Sequence, residues 1–141
     1  MQAIKVMVFG TFDGVHLGHL DFFKQAKNLS PNAFLIVSIA RDKNVLKIKG
    51  KLPLYTERKR MYLVKKNDLV NKVILGGVDN YLAHILKENP DIICLGYDQK
   101  AYVKELKKDL KKNDVLVKIV RLKPYKKHIY KNHLLRKKRV L

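Results

Sequence analysis

The sequence predicts an α/β fold, an open parallel sheet of about five strands with helices on both faces. Three observations predict it. Short, β-branched apolar runs recur along the chain, helical patterns separate them, and most of the runs lack the polar alternation of a sheet wetted on one side. With right-handed crossovers between successive strands, the arrangement is Rossmann-like.

The elements follow in order. AIKVMVF (3–9) and AFLIVSIA (33–40) have the apolar composition of strands covered on both faces, and NKVIL (71–75) and DIICL (91–95) have the same look. VLVKIV (115–120), with partial alternation, is the fifth. Between them, Leu20, Phe22, Phe23, Ala26 and Leu29 recur at helical spacing after Gly18. Thr56 heads the helical stretch TERKRMYLVKKN as an N-cap, and Asp79 heads DNYLAHILKEN in the same way. Residues 101–112 form another helix, with Lys104, Lys107, Lys108 and Lys111 on its wet face beside Val103, Leu106 and Leu110. RDKNVLKIKGKLP (41–53) is expected to be the longest irregular stretch, and long loops in compact domains are usually functional. The segment from Leu122 to Leu141, with Pro124 near its start, is expected to pass back over the domain and finish in a short helix.

At 141 residues, residues 1–141 make one domain with a basic C-terminal tail from about 122. Apolar residues at 47% and charged residues at 30% are a globular composition, and no run approaches the eighteen or so apolar residues of a membrane span. The opening MQAIKVMVFG reads straight into a strand, without a basic leader or a small-residue cleavage site. The single cysteine, Cys94, lies inside DIICLG as a buried thiol, which rules out a disulfide framework within the chain and fits a reducing cytoplasm. The 31 Lys and Arg against 12 Asp and Glu leave a net charge of +19, so an anionic partner is the natural inference. The acid-free tail after Asp114 is one that nucleic acid or an anionic membrane surface can attract, and a merely solvated face is equally consistent with it.

In open parallel sheets ligands bind outside the carboxyl ends of the strands. The chemically distinctive residues fall there: GTFDGVHLGH (10–19) after the first strand, Arg41–Asp42 after the second, Gly76–Gly77 after the third, GYDQK after the fourth and the basic tail after the fifth. Gly10, Gly14 and Gly18 allow a tight turn and a close approach of backbone to ligand, and a helix starting near Gly18 offers free N–H groups at the positive end of its dipole. His16 and His19, three apart at that start, share one face and can both donate to phosphoryl oxygens. The loop is not a Walker motif, since no Gly-Lys-Ser/Thr follows, and its glycines at four-residue spacing do not make the dinucleotide fingerprint. Two histidines without a neighbouring carboxylate or thiol supply too few ligands for zinc, so no protein-held metal is expected.

GTFDGVHLGH resembles the signature of the cytidylyltransferase-like nucleotidyltransferases, which include glycerol-3-phosphate cytidylyltransferase, phosphopantetheine adenylyltransferase and FAD synthases. The resemblance implies attack by an acceptor phosphate on the α-phosphorus of a nucleoside triphosphate, with release of pyrophosphate and no covalent enzyme intermediate. It makes His16 and His19 the catalytic pair, with Gly10, Thr11, Phe12 and Gly18 against the nucleotide and Asp13 orienting the loop or touching the acceptor. Lys47, Lys49 and Arg58 sit at spacings resembling those of basic residues that grip the triphosphate and the acceptor phosphate, Lys49 being placed with the catalytic groups. Asp42 and Asp98 stand at strand ends near nucleotide or acceptor. Mg²⁺ accompanies the triphosphate, and a homodimer is expected on the resemblance alone.

PDIICLGYDQK, ARDKNVLKIKGKLP and TERKRM resemble the archaeal FAD synthase branch, which implies ATP and FMN as substrates. Tyr97, Tyr102, Tyr125 and Tyr130 are candidates to line a flavin slot, Tyr125 foremost. Many family members carry an Ile-Ser-Thr-Thr/Ser-Lys-Ile-like segment near the C-terminus. Here Ile129 to Leu134 reads IYKNHL, and Lys131 and Asn132 replace the hydroxyls as donors to phosphate. CTP with glycerol 3-phosphate is the alternative substrate pair, and a non-catalytic module binding nucleotide or nucleic acid is a further one. His84 and His128 match no motif.

Overall fold

The computed structural model describes residues 2–76, 81–97, 99 and 103–124. The elements run β1 (Ile4–Gly10), α1 (Leu17–Lys27), β2 (Ala33–Ile39), α2 (Asp42–Lys49), α3 (Glu57–Lys65), β3 (Lys72–Leu75), α4 (Tyr81–Glu88), β4 (Ile92–Leu95), α5 (Val103–Lys112) and β5 (Lys118–Arg121). The five strands form one sheet in the order β3-β2-β1-β4-β5, and every adjacent pair is parallel. This is the expected open α/β sheet. Between β1 and β4 the order of winding reverses, which opens a crevice at the carboxyl ends of these two strands.

The pleat distributes the apolar side chains to two faces. Val6, Val8, Leu35, Val37, Ile39 and Cys94 bury against Phe23 and Ala26 of α1 and Val64 of α3. Their neighbours Met7, Ile36, Ile93 and Leu95 bury on the other side against Ile85 of α4 and Leu106 and Leu110 of α5. Strands covered on both faces read as continuous apolar runs, which is why β1 and β2 were legible without alternation. Among the described residues, no helix is long and apolar enough to cross a membrane.

Two expectations need correction. The stretch 41–53 is not irregular: it contains α2, anchored by buried Val45 and ended by Gly50, which takes φ 77° and returns its N–H to the Leu46 carbonyl. The helix buries only Val45 and leaves Leu46 and Ile48 exposed, yet Asp42 in the first turn, Lys47 and Lys49 in the last and a glycine beyond are ordinary helix-end signals. The last strand begins at Lys118 and not at residue 115. Val115 is still held to the end of α5 through its N–H to Leu110, Leu116 is almost wholly exposed, and Lys118 is the first residue with a partner in β4. The Asp79 cap and the tail from Tyr125 onward lie outside the described residues. Leu122 and Lys123, at the start of the basic segment, are docked: Leu122 donates to the Leu95 carbonyl, and the Lys123 main chain exchanges hydrogen bonds with the Gln25 amide of α1.

Candidate active site

The carboxyl ends of the strands gather the described parts of the segments expected there. Arg41 Nε donates to the Gly76 carbonyl, tying the end of β2 to that of β3, and Arg121 Nη1 donates to the carbonyls of Gly96 and Gln99 beyond β4. At the centre of this rim β1 runs into the loop from Thr11 to Val15. The Phe12 ring folds back over Gly10 so closely that a Cβ there would lie 2.6 Å from its edge, which explains the glycine. Phe12 itself is buried, at φ 53°, in the left-handed region that a bulky residue adopts only when its surroundings impose it. Its ring packs on Phe23 and meets the His19 ring edge-on at a centroid distance of 5.1 Å. Gly14 takes φ 98°, another conformation that requires glycine.

The spacing of the two histidines has a physical cause in helix capping. His16 is the N-cap of α1, and its Nδ1 accepts from the N–H groups of Gly18 (3.0 Å) and His19 (3.4 Å). His19 occupies the third helical position and returns the favour, its Nδ1 accepting from the His16 N–H at 3.3 Å. The pair is a capping box built from imidazoles where Ser/Thr and Glu/Gln are usual. The rings stack with centroids 3.8 Å apart. This corrects the expectation of free N–H groups at the helix start: those of Gly18 and His19 are taken by His16. With Nδ1 accepting on both rings, the ring N–H is the one at Nε2.

Burial holds the His19 pKa down at about 4, with the neighbouring His16 acting in the same direction and a hydrogen bond with the Gly14 backbone opposing both. His19 is therefore a neutral donor at physiological pH.

The other expected residues divide into struts and exposed cations. Both carboxylate oxygens of Asp13 accept backbone N–H bonds, from Leu54 at 2.6 Å and Tyr55 at 2.8 Å, so Asp13 fastens the glycine-rich loop to the segment before α3. The Tyr55 N–H bond chiefly holds the Asp13 carboxyl below the usual range; desolvation, the next largest influence, opposes it, and Leu54, Arg60 and Lys49 add smaller lowering effects. Asp42 accepts from Arg60 Nη2 at 2.6 Å and from the Glu57 N–H, while Glu57 accepts from the Asp42 N–H. Thr11 offers its carbonyl to Arg60 Nη1 at 2.8 Å. Lys47 and Lys49, in the last turn of α2, and Arg58, in the first turn of α3, are exposed. Asp98, Tyr125, Lys131 and Asn132 lie outside the described residues. His84, which matched no motif, shares a hydrogen bond with buried Ser38 at 2.9 Å, and Cys94 is buried with its thiol pKa pushed up to about 12.

Sequence reasoning missed Arg60, whose side chain is fully buried. It singled out Arg58, two residues earlier. The available signal was the helical period: Arg60 stands four residues before buried Val64, on the covered stripe of α3.

The fold and this loop define a Rossmann-like α/β domain with a histidine-capped helix at its switch point. The chain belongs to the cytidylyltransferase-like family, whose sequence model matches residues 7–137. Among curated relatives, the FAD synthase of Thermoplasma volcanium is 37% identical over 135 residues, which cover 96% of this chain and 93% of that protein. The FAD synthase of Korarchaeum cryptofilum is 44% identical over 119 residues, covering 84% and 80%. Among solved structures, a lipopolysaccharide core biosynthesis protein from Thermoplasma volcanium superposes with a TM-score of 0.80 at 38% identity, covering 88% of this chain and 99% of that one.

Proposed function

We propose that this chain is a nucleotidyltransferase that moves AMP from ATP to FMN, yielding FAD and pyrophosphate. The observation that carries the chemistry is the imidazole capping box. Both Nδ1 atoms are consumed by backbone N–H groups, so the protons of two stacked rings reside on Nε2, fixed before substrate arrives. The choice of nucleotide and acceptor rests on the similarity to archaeal FAD synthases over most of the chain.

In this reading a phosphate oxygen of FMN attacks the α-phosphorus of ATP in line. The bond from that phosphorus to the bridging oxygen breaks, and pyrophosphate leaves with the electron pair. No proton has to be removed from an ionised phosphate nucleophile, so the site needs positioning and charge stabilisation more than a general base. His16 donates to the oxygens of the α-phosphoryl group as their charge rises, and His19, whose ring proton the Gly14 backbone holds in the free protein, turns that donor to the phosphoryl oxygens when substrate displaces the contact. A neutral donor such as His19 suits that role, since it strengthens as charge develops and binds ground-state phosphate less tightly than a fixed cation does. Lys47, Lys49 and Arg58 supply the cations for the remaining phosphates. The described residues contain no group of three His, Cys, Asp or Glu able to hold a metal, and Mg²⁺ enters this reading coordinated by the triphosphate itself.

A substrate panel tests the proposal: protein with Mg²⁺, ATP or CTP, and FMN or glycerol 3-phosphate, with pyrophosphate release followed and the nucleotide product identified. FAD from ATP and FMN alone is the expected result. CDP-glycerol, or no turnover with any pair, overturns it.

A further inference from the structure

Arg60 is the largest fully buried side chain among the described residues, and it is charged. Buried charges are rare unless paired and hydrogen-bonded, and this one is both. Its Nη2 meets Asp42 Oδ1 at 2.6 Å, its Nε donates to the Tyr55 carbonyl at 3.1 Å and its Nη1 donates to the Thr11 carbonyl at 2.8 Å. The three acceptors come from three different segments, which a planar fork reaches and a single ammonium does not. Asp42 and Tyr55 alone would join α2 to the start of α3. The bond to Thr11 does something else.

The Thr11 carbonyl belongs to the peptide unit immediately before Phe12, and its direction sets the plane from which the Phe12 φ of 53° departs. A phenylalanine in that region is strained, and nothing local to its side chain favours it. The ring it directs lies over Gly10 on one side and against His19 on the other. The connected path is therefore Arg60, the Thr11 carbonyl, the left-handed Phe12, its ring and the His19 imidazole.

We infer that Arg60 is a positioning residue for the histidine pair, holding Phe12 in its left-handed conformation so that its ring sets the orientation of His19. Arg60 touches neither histidine, and the inference draws on the proposed transfer reaction only for its activity readout.

Two variants of the full chain test it. Arg60→Lys keeps the charge opposite Asp42 but loses the fork. Gly10→Ala leaves Arg60 intact and drives a methyl group to within 2.6 Å of the Phe12 ring edge, so the ring must move. The primary readout is the set of His19 ring-proton resonances, which carry the ring-current shift of the edge-on Phe12 whatever the substrate proves to be. Both variants should move these resonances while methyl resonances of Ile85 and Ile93, on the opposite face of the sheet, stay in place. In Arg60→Lys the second readout is the split of kinetic constants: kcat falls roughly 10- to 100-fold, the effect of misplacing a catalytic group by about an ångström, with KM for either substrate nearly unchanged. His19 resonances at their native positions in a folded Arg60→Lys protein overturn the inference. So does a Gly10→Ala protein with native His19 resonances, since it breaks the path at the Phe12 ring; should Arg60→Lys not fold, Asp42→Asn, which weakens the anchor of the Arg60 fork, takes its place, and native His19 resonances in it overturn the inference. A wild-type protein inactive towards ATP and FMN would refute the transfer reaction and leave the resonance test standing.

Discussion

Replacing His16 by alanine removes two contributions that the structure separates. The first is the acceptor at the start of α1, where His16 Nδ1 serves the N–H groups of Gly18 and His19. Losing an N-cap side chain costs about 1 kcal/mol, within a range of about 0.5–2. The reciprocal bond survives, because His19 Nδ1 accepts from the backbone of residue 16 whatever its side chain. For a chain of this size such a loss lowers Tm by roughly 3–5 °C. The second contribution is the Nε2–H donor to the reacting phosphoryl group, whose loss raises the barrier by about 2.7–4 kcal/mol and lowers kcat about 10²–10³-fold. His16→Ser distinguishes the two, since serine is among the best N-cap residues but its short hydroxyl does not reach as far as an imidazole edge. Urea unfolding and FAD formation, measured side by side, should show alanine losing stability and rate, and serine recovering stability alone. A serine variant as unstable as the alanine one refutes the capping role, and wild-type turnover in either refutes the donor role.

Further outcomes follow from the same structure. His19 has its pKa lowered by burial from 6.5 to about 4, so the unfolded chain binds more protons than the native one between these values and stability falls as pH drops through that window. The full shift corresponds to roughly 3 kcal/mol, which solvent screening around a half-buried ring reduces to about 1–2 kcal/mol; urea midpoints from pH 7 to pH 4 in wild type and His19→Gln should differ in slope, and parallel curves contradict the assignment. Asp13→Asn replaces a carboxylate that accepts two backbone N–H bonds with an amide oxygen, so the amides of Leu54 and Tyr55 should exchange faster with deuterium; unchanged protection means the strut carries no load. Cys94 is buried with its thiol pKa raised to about 12, so it should react with a disulfide reagent only on unfolding, and rapid labelling of the native protein is the contrary result.

The sheet was legible because each strand is a local event. Val6, Met7 and Val8 are apolar in succession because both faces of β1 are covered, and the sequence records that directly. α2 was missed although its end signals were present, because it is only eight residues long, buries Val45 alone and leaves Leu46 and Ile48 exposed. The signature loop announced itself through Gly10, Gly14, His16 and His19, and the stacked rings do share one face, but the part that cap geometry plays in their three-residue spacing was not readable. The struts were the least visible part. Asp13 meets Tyr55 across 42 residues and Arg60 meets Asp42 across 18, and no local pattern encodes a pairing at such separations. An arginine on the apolar stripe of α3 reads as an interruption until its three acceptors are seen around it.

The central claim is transfer of the α-phosphoryl group of ATP, with its nucleoside, to the phosphate of FMN. It is tested most directly by where label goes when the protein is given FMN, Mg²⁺ and ATP carrying radioactive phosphorus at either the α or the γ position. The expected result is α label in FAD and γ label in pyrophosphate, in equal amounts. Label from the γ position in the flavin product, or no labelled flavin from either ATP, contradicts it.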